Sequence, residues 1–423
     1  MPGDDHARDD RVTYADIFAE REFRALFTSR TLSTIGDYIA RAALVIAVFA
    51  ETKSTALMGI TFALTTLPDL IGGPVLAGLA DRYPRRVVMV VTDVGRALLL
   101  LVMAIPGMPL LALWVLLFVV RLVDAPFNSA YISTMSVVLP GRRLVKGTAV
   151  TQLVNHVAYT VGYAAGGVIV GLTGLSVVLV FNAATFALSA LAILLGVLAR
   201  PATAHADSAP TWLGSTRAAF RYITAHPRLW LIMLFTFPIA ATLASETLAA
   251  PYSVQIGHGS AVGGLLMGSG PAGIVIGLWL LPMVIPDQRT KHVVLLSITC
   301  CAPLALFVLV PGVLAASLLV VASGIALYFW IPLAAEFTQA VPDEMRGQAV
   351  GLLTMTMRVT QGIAILIFGL AAQNALSSTV ISTSGVIGTA MVVVLSVAWV
   401  RASKSSPIAV APRTIPPRGD TVQ

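Results

Sequence analysis

Ten charged residues stand inside long apolar segments of this sequence, where a charge is costly. On insertion scales each one costs roughly 2.5–3.5 kcal/mol at the centre of a membrane-spanning helix. The ten are Asp37, Asp69, Asp93, Asp124, Glu246, Arg30, Arg41, Arg96, Arg121 and Arg358. A desolvated carboxylate tends to take up a proton, and a nearby arginine can neutralise it instead. The spacing of these residues indicates which of the two applies.

Three acid–arginine pairs stand three or four residues apart, so each pair can share one face of a helix. The pairs are Asp37 with Arg41, Asp93 with Arg96, and Arg121 with Asp124. We expect these six residues to be neutralised locally and to be structural, although Asp37, Arg121 and Asp124 stay candidates for proton coupling.

Asp69 and Glu246 have no such partner in their own segments. A cavity that opens alternately would change the hydration of a lone carboxylate and with it the pKa, which is what proton coupling needs. Asp69 and Glu246 are therefore the first candidates for coupling. The alternative is that each meets Arg30, Arg358 or another arginine on a different helix.

The composition indicates the elements that must position these residues. Of 423 residues, 57% are hydrophobic and 11% charged, with a mean hydropathy of +0.87. Soluble domains carry about 25% charged residues. The apolar content suits roughly twelve helices of ~20 residues, and its continuous runs exclude the alternating pattern of a membrane β-barrel. We predict an all-α membrane protein of twelve transmembrane helices in two pseudo-symmetric six-helix bundles.

Apolar and polar stretches divide the chain into five parts. A polar cytoplasmic tail covers 1–22, six helices cover 23–199, a central cytoplasmic loop covers 200–227, six more helices cover 228–402, and a disordered Pro- and Ser-rich tail covers 403–423. The predicted spans are 24–50, 55–80, 87–106, 109–133, 148–172, 175–199, 228–251, 261–285, 292–311, 313–335, 348–372 and 380–400.

Charge placement predicts the orientation. With the N-terminus inside, 21 of the 27 Lys and Arg residues fall in cytoplasmic segments, five in spans and only Lys53 in an outer loop. Such asymmetry predicts that both termini are cytoplasmic. It also explains the net charge of +7 without nucleic acid as a partner. The N-terminus has no pattern of a signal peptide.

A weak repeat supports two halves. Gly147-Thr-Ala-Val and Gly347-Gln-Ala-Val stand 200 residues apart, before the fifth and eleventh spans. Many secondary transporters consist of two such halves around a cavity at the midplane. No phosphate-binding loop, metal-ligand cluster or nucleophile elbow is present, so we expect no enzyme, no cofactor and no metal.

These residues resemble the major facilitator superfamily over nearly all of 20–403. The segments FRALFTSRTLSTIGDYIARAAL, AGLADRYPRR and VPDEMRGQAV resemble the branch of bacterial siderophore exporters and macrolide or multidrug efflux proteins. The resemblance implies a monomer in the bacterial cell membrane that exports a small amphipathic or lipophilic molecule, with the proton gradient as energy source. An uptake permease of the same fold and a membrane sensor are the alternatives.

The hairpin between the second and third spans is similar to the family motif G-x-L-A-D-R-x-G-R-R. The matching residues are Leu79, Ala80, Asp81, Arg82, Arg85 and Arg86, while Ala77 and Pro84 replace glycines. The resemblance implies a conformational latch in which Asp81 faces the positive N-terminus of the helix near Gly347. The alternative is a basic loop that only sets topology.

Further positions follow from the same resemblance. Gly162, Gly166 and Gly167 resemble the exporter signature G-P-x-x-G-G, with Tyr163 in place of proline; ordinary small-residue packing is the alternative. Arg121 matches a fourth-helix arginine linked to proton transfer, with Asp124 where the family usually has Gln. Independently of the resemblance, the polar and aromatic residue types make His156, Asn155, Phe127, Tyr131 and Tyr159 candidates for the substrate cavity; the alternatives are hydrogen-bonded packing for His156 and lipid contact for the aromatic rings.

Overall fold

A computed structural model describes residues 13–68, 72, 76, 82–200, 212–284 and 290–405. Within these residues the regular structure is entirely helical, which confirms the predicted fold class. The first half contains α1 (Tyr14–Ala19), α2 (Arg21–Thr52), α3 (Thr55–Leu64), α4 (Arg85–Met103), α5 (Leu110–Val138), α6 (Arg142–Thr173) and α7 (Leu175–Gly196).

The second half begins with an amphipathic helix within the central segment 200–227, where the sequence predicts a short amphipathic piece around Thr216–Ala225. Its helices are α8 (Trp212–Ala225), α9 (Pro227–Leu234), α10 (Thr236–Ala241), α11 (Leu243–Thr247), α12 (Ala249–Gln255), α13 (Ser260–Val284), α14 (Thr290–Ala305), α15 (Val313–Ala326), α16 (Trp330–Ala340), α17 (Arg346–Ala371) and α18 (Ser377–Ser405). Helix α8 packs its Ala219 and Ile223 into the core of this half.

Ten helical stretches of the described chain are long and apolar enough to cross a membrane. Two further helices coincide with predicted spans. Helix α3 ends at Leu64 and is followed by a turn over 65–67, and α4 contains four charged residues. The architecture is therefore compatible with twelve spans. Large apolar side chains cover the outside, as Leu172 (80% exposed) and Leu111 (70% exposed) illustrate, which suits a lipid surrounding.

Several boundaries differ from the sequence prediction. Helix α6 begins at Arg142 rather than near 148, because the basic residues before Gly147 continue the helix. The N-terminal segment predicted as a tail contains α1, whose Ile17 is fully buried. Helix α18 continues to Ser405, and 406–423 lie outside the described residues.

The seventh predicted span, 228–251, is broken into α9, α10, α11 and α12. Pro238 lacks the N–H that a continuous helix would use. Hydroxyl groups bond to carbonyls three residues earlier at two of the breaks, from Thr236 to Met233 at 2.7 Å and from Thr242 to Ile239 at 2.7 Å. Such local bonds compete with the helical pattern, and they give this segment an irregular path at mid-membrane depth.

The two halves meet at one end of the molecule, which we call the far end because the helices that begin at Arg21, Arg142 and Arg346 run toward it. There α6 crosses α13 and α3 crosses α17, with glycines at both crossings. A Cβ on Gly59 would stand 2.9 Å from the Cα of Gly369. Close backbone approach through small residues is the usual means of packing in membranes.

Hydrogen bonds between the halves also lie at the far end. The side-chain oxygen of Gln373, just after α17, accepts from Ser54 at 3.1 Å, Thr55 at 3.3 Å and the Ala56 N–H at 3.3 Å. One glutamine of the second half thus caps the start of α3 in the first half. The opposite end, which we call the tail end, holds the beginnings of α2, α6 and α17.

Candidate functional site

A cavity of about 540 Å³ lies between the two halves. Helices α2, α3 and α6 line it from the first half, and α10, α11, α13, α15, α16 and α17 line it from the second half. Its volume is in the range of sites for small organic ligands. The lining combines apolar side chains such as Phe62, Met267 and Ile365 with charged and amide groups.

Glu246 lies on the cavity wall and makes a bond between the halves. The Tyr159 hydroxyl of α6 donates to the Glu246 carboxylate of α11 at 2.7 Å. Glu246 is 8% exposed and is the only acidic side chain among the described residues that line the cavity. A carboxylate with so little water depends on its protein partners for the stability of its charge.

Aromatic rings and one arginine surround this bond. The ring of Tyr38 stacks on Tyr159 with centroids 4.5 Å apart, and Tyr163 meets Tyr159 edge-on at 4.7 Å. The Arg41 guanidinium lies 5.4 Å from the centre of the Tyr38 ring and donates to the Thr65 carbonyl at 3.1 Å. Arg41 also interacts electrostatically with Glu246. At the cavity, Arg41 therefore interacts with these groups and not with Asp37, its predicted partner.

Two more arginines line the cavity, Arg30 from α2 and Arg358 from α17. Neither forms an ion pair with an acid among the described residues. The arginine of another helix that interacts with Glu246, the alternative left open by the sequence, is Arg41. The predicted candidates His156, Asn155 and Tyr159 do line the cavity. They occupy one face of α6, as their spacing requires.

Arg96 is fully enclosed in the first half, away from the cavity, and holds two carboxylates. It forms ion pairs with Asp93 on its own helix and with Asp124 of α5 at 2.5 Å. Ser189 of α7 donates to Asp93 at 2.5 Å. The prediction of a pair within α4 is confirmed, and Asp124 adds a partner from another helix. A cation with two anions and aromatic rings on both faces is well compensated for burial.

Asp37 and Arg121, which the spacing assigns to different pairs, contact each other. Arg121 of α5 donates to Asp37 of α2 at 3.4 Å, and Asn182 of α7 donates to the other carboxylate oxygen at 3.3 Å. The sequence identified both residues but did not predict their contact. Spacing along the chain indicates which charges can pair within one helix, and it does not indicate pairs between helices.

Phe127 and Tyr131 are a correction to the predicted cavity. Both are buried in a core of the first half, where Phe127 lies 4.6 Å from the Arg96 guanidinium. The face of α5 that carries them packs against neighbouring helices of its own half. The sequence of an apolar span does not indicate whether an aromatic residue in it faces a core, a cavity or lipid.

The three glycines of α6 sit at helix crossings. A Cβ on Gly162 would stand 2.6 Å from the Cβ of Tyr38, and one on Gly166 would stand 2.9 Å from the Cβ of Ala42, both on α2. Gly167 instead faces the second half, with the Cα of Gly264 at 2.6 Å from its hypothetical Cβ. Close packing explains all three positions, and the Gly167 contact joins the halves.

The hairpin candidates are only partly described. Asp69 and Asp81 lie outside the described residues. Arg85 donates to the Ser133 carbonyl at 3.1 Å, and Arg86 donates to the Leu194 carbonyl. The Leu194 carbonyl lies in the last turn of α7, where acceptors lack helical partners. A Cβ on Gly347 would meet no atom within 4 Å. Arg82 is exposed.

Comparison with known proteins places this geometry in context. A family model described as Major Facilitator Superfamily matches residues 26–365. An uncharacterized MFS-type transporter of Bacillus subtilis (strain 168), YfiS, is 28% identical over 172 residues, which are 40% of this chain and 41% of the relative. The chain thus matches about two fifths of that relative's length.

Solved structures with the same fold have low sequence identity. A bacterial homolog of the human lysosomal transporter Spinster, inward-facing and unoccupied, has a TM-score of 0.69 at 17% identity, over 90% of this chain and 97% of that one. The nucleoside transporter NupG gives 0.66 at 15% identity over 90% and 100%. A POT family transporter in complex with a thioalcohol conjugated peptide gives 0.71 at 12% identity over 90% and 97%.

Proposed function

The chain belongs to the major facilitator superfamily and is a multi-pass membrane transporter; on that premise we propose that it is a proton-coupled exporter. Its cargo is a small amphipathic or lipophilic molecule, of the kind that drugs, macrolides and siderophores represent. It acts as a monomer in the bacterial cell membrane with both termini cytoplasmic, and it works by alternating access around the central cavity.

The observation that carries the proposal is the bond from Tyr159 to Glu246. A hydrogen bond to a charged group contributes about 1.5–3 kcal/mol and one between neutral groups about 0.5–1.5 kcal/mol. Protonation of Glu246 therefore changes the strength of this tie between the halves by about 1 kcal/mol, or about fivefold in a two-state equilibrium. A carboxylate that both lines the cavity and joins the halves links proton binding to conformation.

The arrangement of the halves is that of a state with a closed far end. The glycine crossings and the hydrogen bonds of Gln373 lie at the far end, whereas Gly347 at the tail end faces open space. With cytoplasmic termini, this is a state that admits cargo from inside the cell. The tail end would then close and the glycine crossings at the far end would separate, so that the cavity opens to the other side of the membrane.

Inside-out membrane vesicles test the proposal. Respiration acidifies their lumen, and a proton-coupled exporter then accumulates cargo inside them. We expect uptake of at least one member of a labelled panel, which contains a macrolide, a catecholate siderophore and an amphipathic drug. Nigericin, which collapses the pH gradient, should abolish that uptake.

Variants assign the coupling residue. Glu246→Gln should abolish gradient-driven accumulation, and Asp69→Asn tests the second predicted carboxylate. Glu344→Gln, which changes an exposed acid outside the cavity, should leave it intact. Gradient-driven accumulation that survives in both Glu246→Gln and Asp69→Asn would refute the coupling assignment. Accumulation only in right-side-out vesicles would make the protein an uptake permease.

A further inference from the structure

The cavity has an excess of positive charge that the coupling carboxylate does not offset. Its described lining contains three arginines, Arg30, Arg41 and Arg358, against the single acid Glu246. Arg41 belongs to the Glu246 group, since it interacts with that carboxylate and donates to the Thr65 carbonyl. Arg30 and Arg358 are left as the cations that face the cavity.

Neither of these two arginines forms an ion pair with an acid among the described residues. No ion pair or side-chain hydrogen bond joins either guanidinium to a partner among the described residues, and the one contact is Arg30 over the Tyr131 ring at 5.7 Å. Asp124, which interacts electrostatically with Arg30, is already bound by Arg96. A charge within a membrane protein is normally paired, so two cavity arginines that form no ion pair within the described part of the chain point to a partner from outside.

The two arginines stand on opposite halves at similar depth. Arg30 is about 14 Å along α2 from its start at Arg21, and Arg358 is about 18 Å along α17 from its start at Arg346. A guanidinium holds a carboxylate through two parallel N–H donors, and water exclusion strengthens that attraction. One anionic group between them would engage both halves at once.

The remaining lining sets the rest of the ligand. Apolar side chains, among them Leu243, Met267 and Trp330, share the wall with the amide groups of Asn155 and Gln361. We propose that the cargo is an amphipathic organic anion, whose carboxylate binds between Arg30 and Arg358 while its apolar body fills the cavity. The proposal rests on the proposed transport function and specifies its substrate class.

Equilibrium binding to the purified full-length protein tests this without a proton gradient. The probes are two matched fluorescent pairs, dansylglycine with dansylglycinamide and pyrenebutyrate with pyrenebutanol. Each carboxylate should bind about tenfold or more tightly than its neutral partner, as expected for a charge-assisted contact. Arg30→Gln and Arg358→Gln should each remove most of that preference, and Arg→Lys at either position should restore part of it.

Controls separate the proposal from its rivals. Arg217→Gln removes an exposed arginine outside the cavity and should leave the preference unchanged. Equal binding of the carboxylate and neutral probes, no binding of either pair, or an unchanged preference in monodisperse glutamine variants would overturn the proposal. Displacement of the probes by phosphatidylglycerol at equal concentration would assign the arginines to a lipid headgroup and overturn it as well.

The binding result is independent of proton coupling. If the carboxylate preference holds while vesicles show no gradient-driven accumulation, the substrate class stands and only the coupling fails. If accumulation depends on Glu246 while the carboxylate preference is absent, the coupling stands and the substrate class fails.

Discussion

Substitution of Gly167 by alanine should open the far end of the transporter. A Cβ at this position would stand 2.6 Å from both the Gly264 Cα and the Ser260 carbonyl oxygen of α13. Both neighbours are backbone atoms, which cannot rotate away as a side chain can. Since ordinary contacts of a Cβ begin at 3.4 Å, α6 and α13 must separate by about 0.8 Å.

The expected energy follows from that overlap. Overpacking a tight contact by one methyl group costs about 1–3 kcal/mol. Because the crossing exists only where the halves meet, most of that cost falls on the state with a closed far end. The ratio of closed to open molecules should then fall by about fivefold to 150-fold.

Spin labels measure the ratio directly. Glu51→Cys and Leu376→Cys place labels on exposed positions of the two halves at the far end, on a background with Cys300 and Cys301 changed to alanine. Double electron–electron resonance should show a longer-distance population that grows in Gly167→Ala. Neither labelled position touches the Gly167 crossing.

Gly95→Ala is the matched control, since a Cβ at Gly95 would meet no atom within 4 Å. It should leave the distances unchanged. The steric argument is refuted if Gly167→Ala gives the distance distribution of the wild type. A lower melting temperature without a new distance population would show that the crossing stabilises the fold and not one state.

Three other predictions follow from single contacts. Gln373→Ala should shift the equilibrium toward the state with an open far end by about 0.5–1.5 kcal/mol per lost bond. Gln255→Ala, which breaks a bond within the second half, should leave the same spin-label distances unchanged. Arg96→Met leaves two buried carboxylates without their cation and should destabilise the protein by about 3–5 kcal/mol; an unchanged detergent melting curve would contradict this. The Thr13 N–H and hydroxyl donate to Asp16 and lower its pKa below 3.8, so stability of α1 is full above that value and is lost as pH falls further. Hydrogen exchange corrected for intrinsic rates should show this loss in the wild type, and a similar loss in Asp16→Asn would contradict it.

The sequence alone determined the fold class of the molecule and identified many of its charged and cavity-lining residues. A bilayer offers no water to backbone groups, so long continuous apolar runs have to become helices, and ten helical stretches of the described chain are long and apolar enough to span a membrane. Spacing within one helix was equally informative: Asp93 and Arg96 are three residues apart and do form a pair. The cavity-facing residues of α6 were also identified, because Asn155, His156 and Tyr159 share a helical face.

Only the tertiary structure decided which helix each face meets. Tyr159 and Glu246 are 87 residues apart, and no pattern within either span indicates their bond. Arg121 meets Asp37, and Phe127 lies in a core and not in the cavity, because both depend on the rotation of α5 against its neighbours. Helical periodicity fixes the direction of a side chain relative to its own axis. The partner in that direction depends on how the helices cross, which is set by packing between residues distant in sequence.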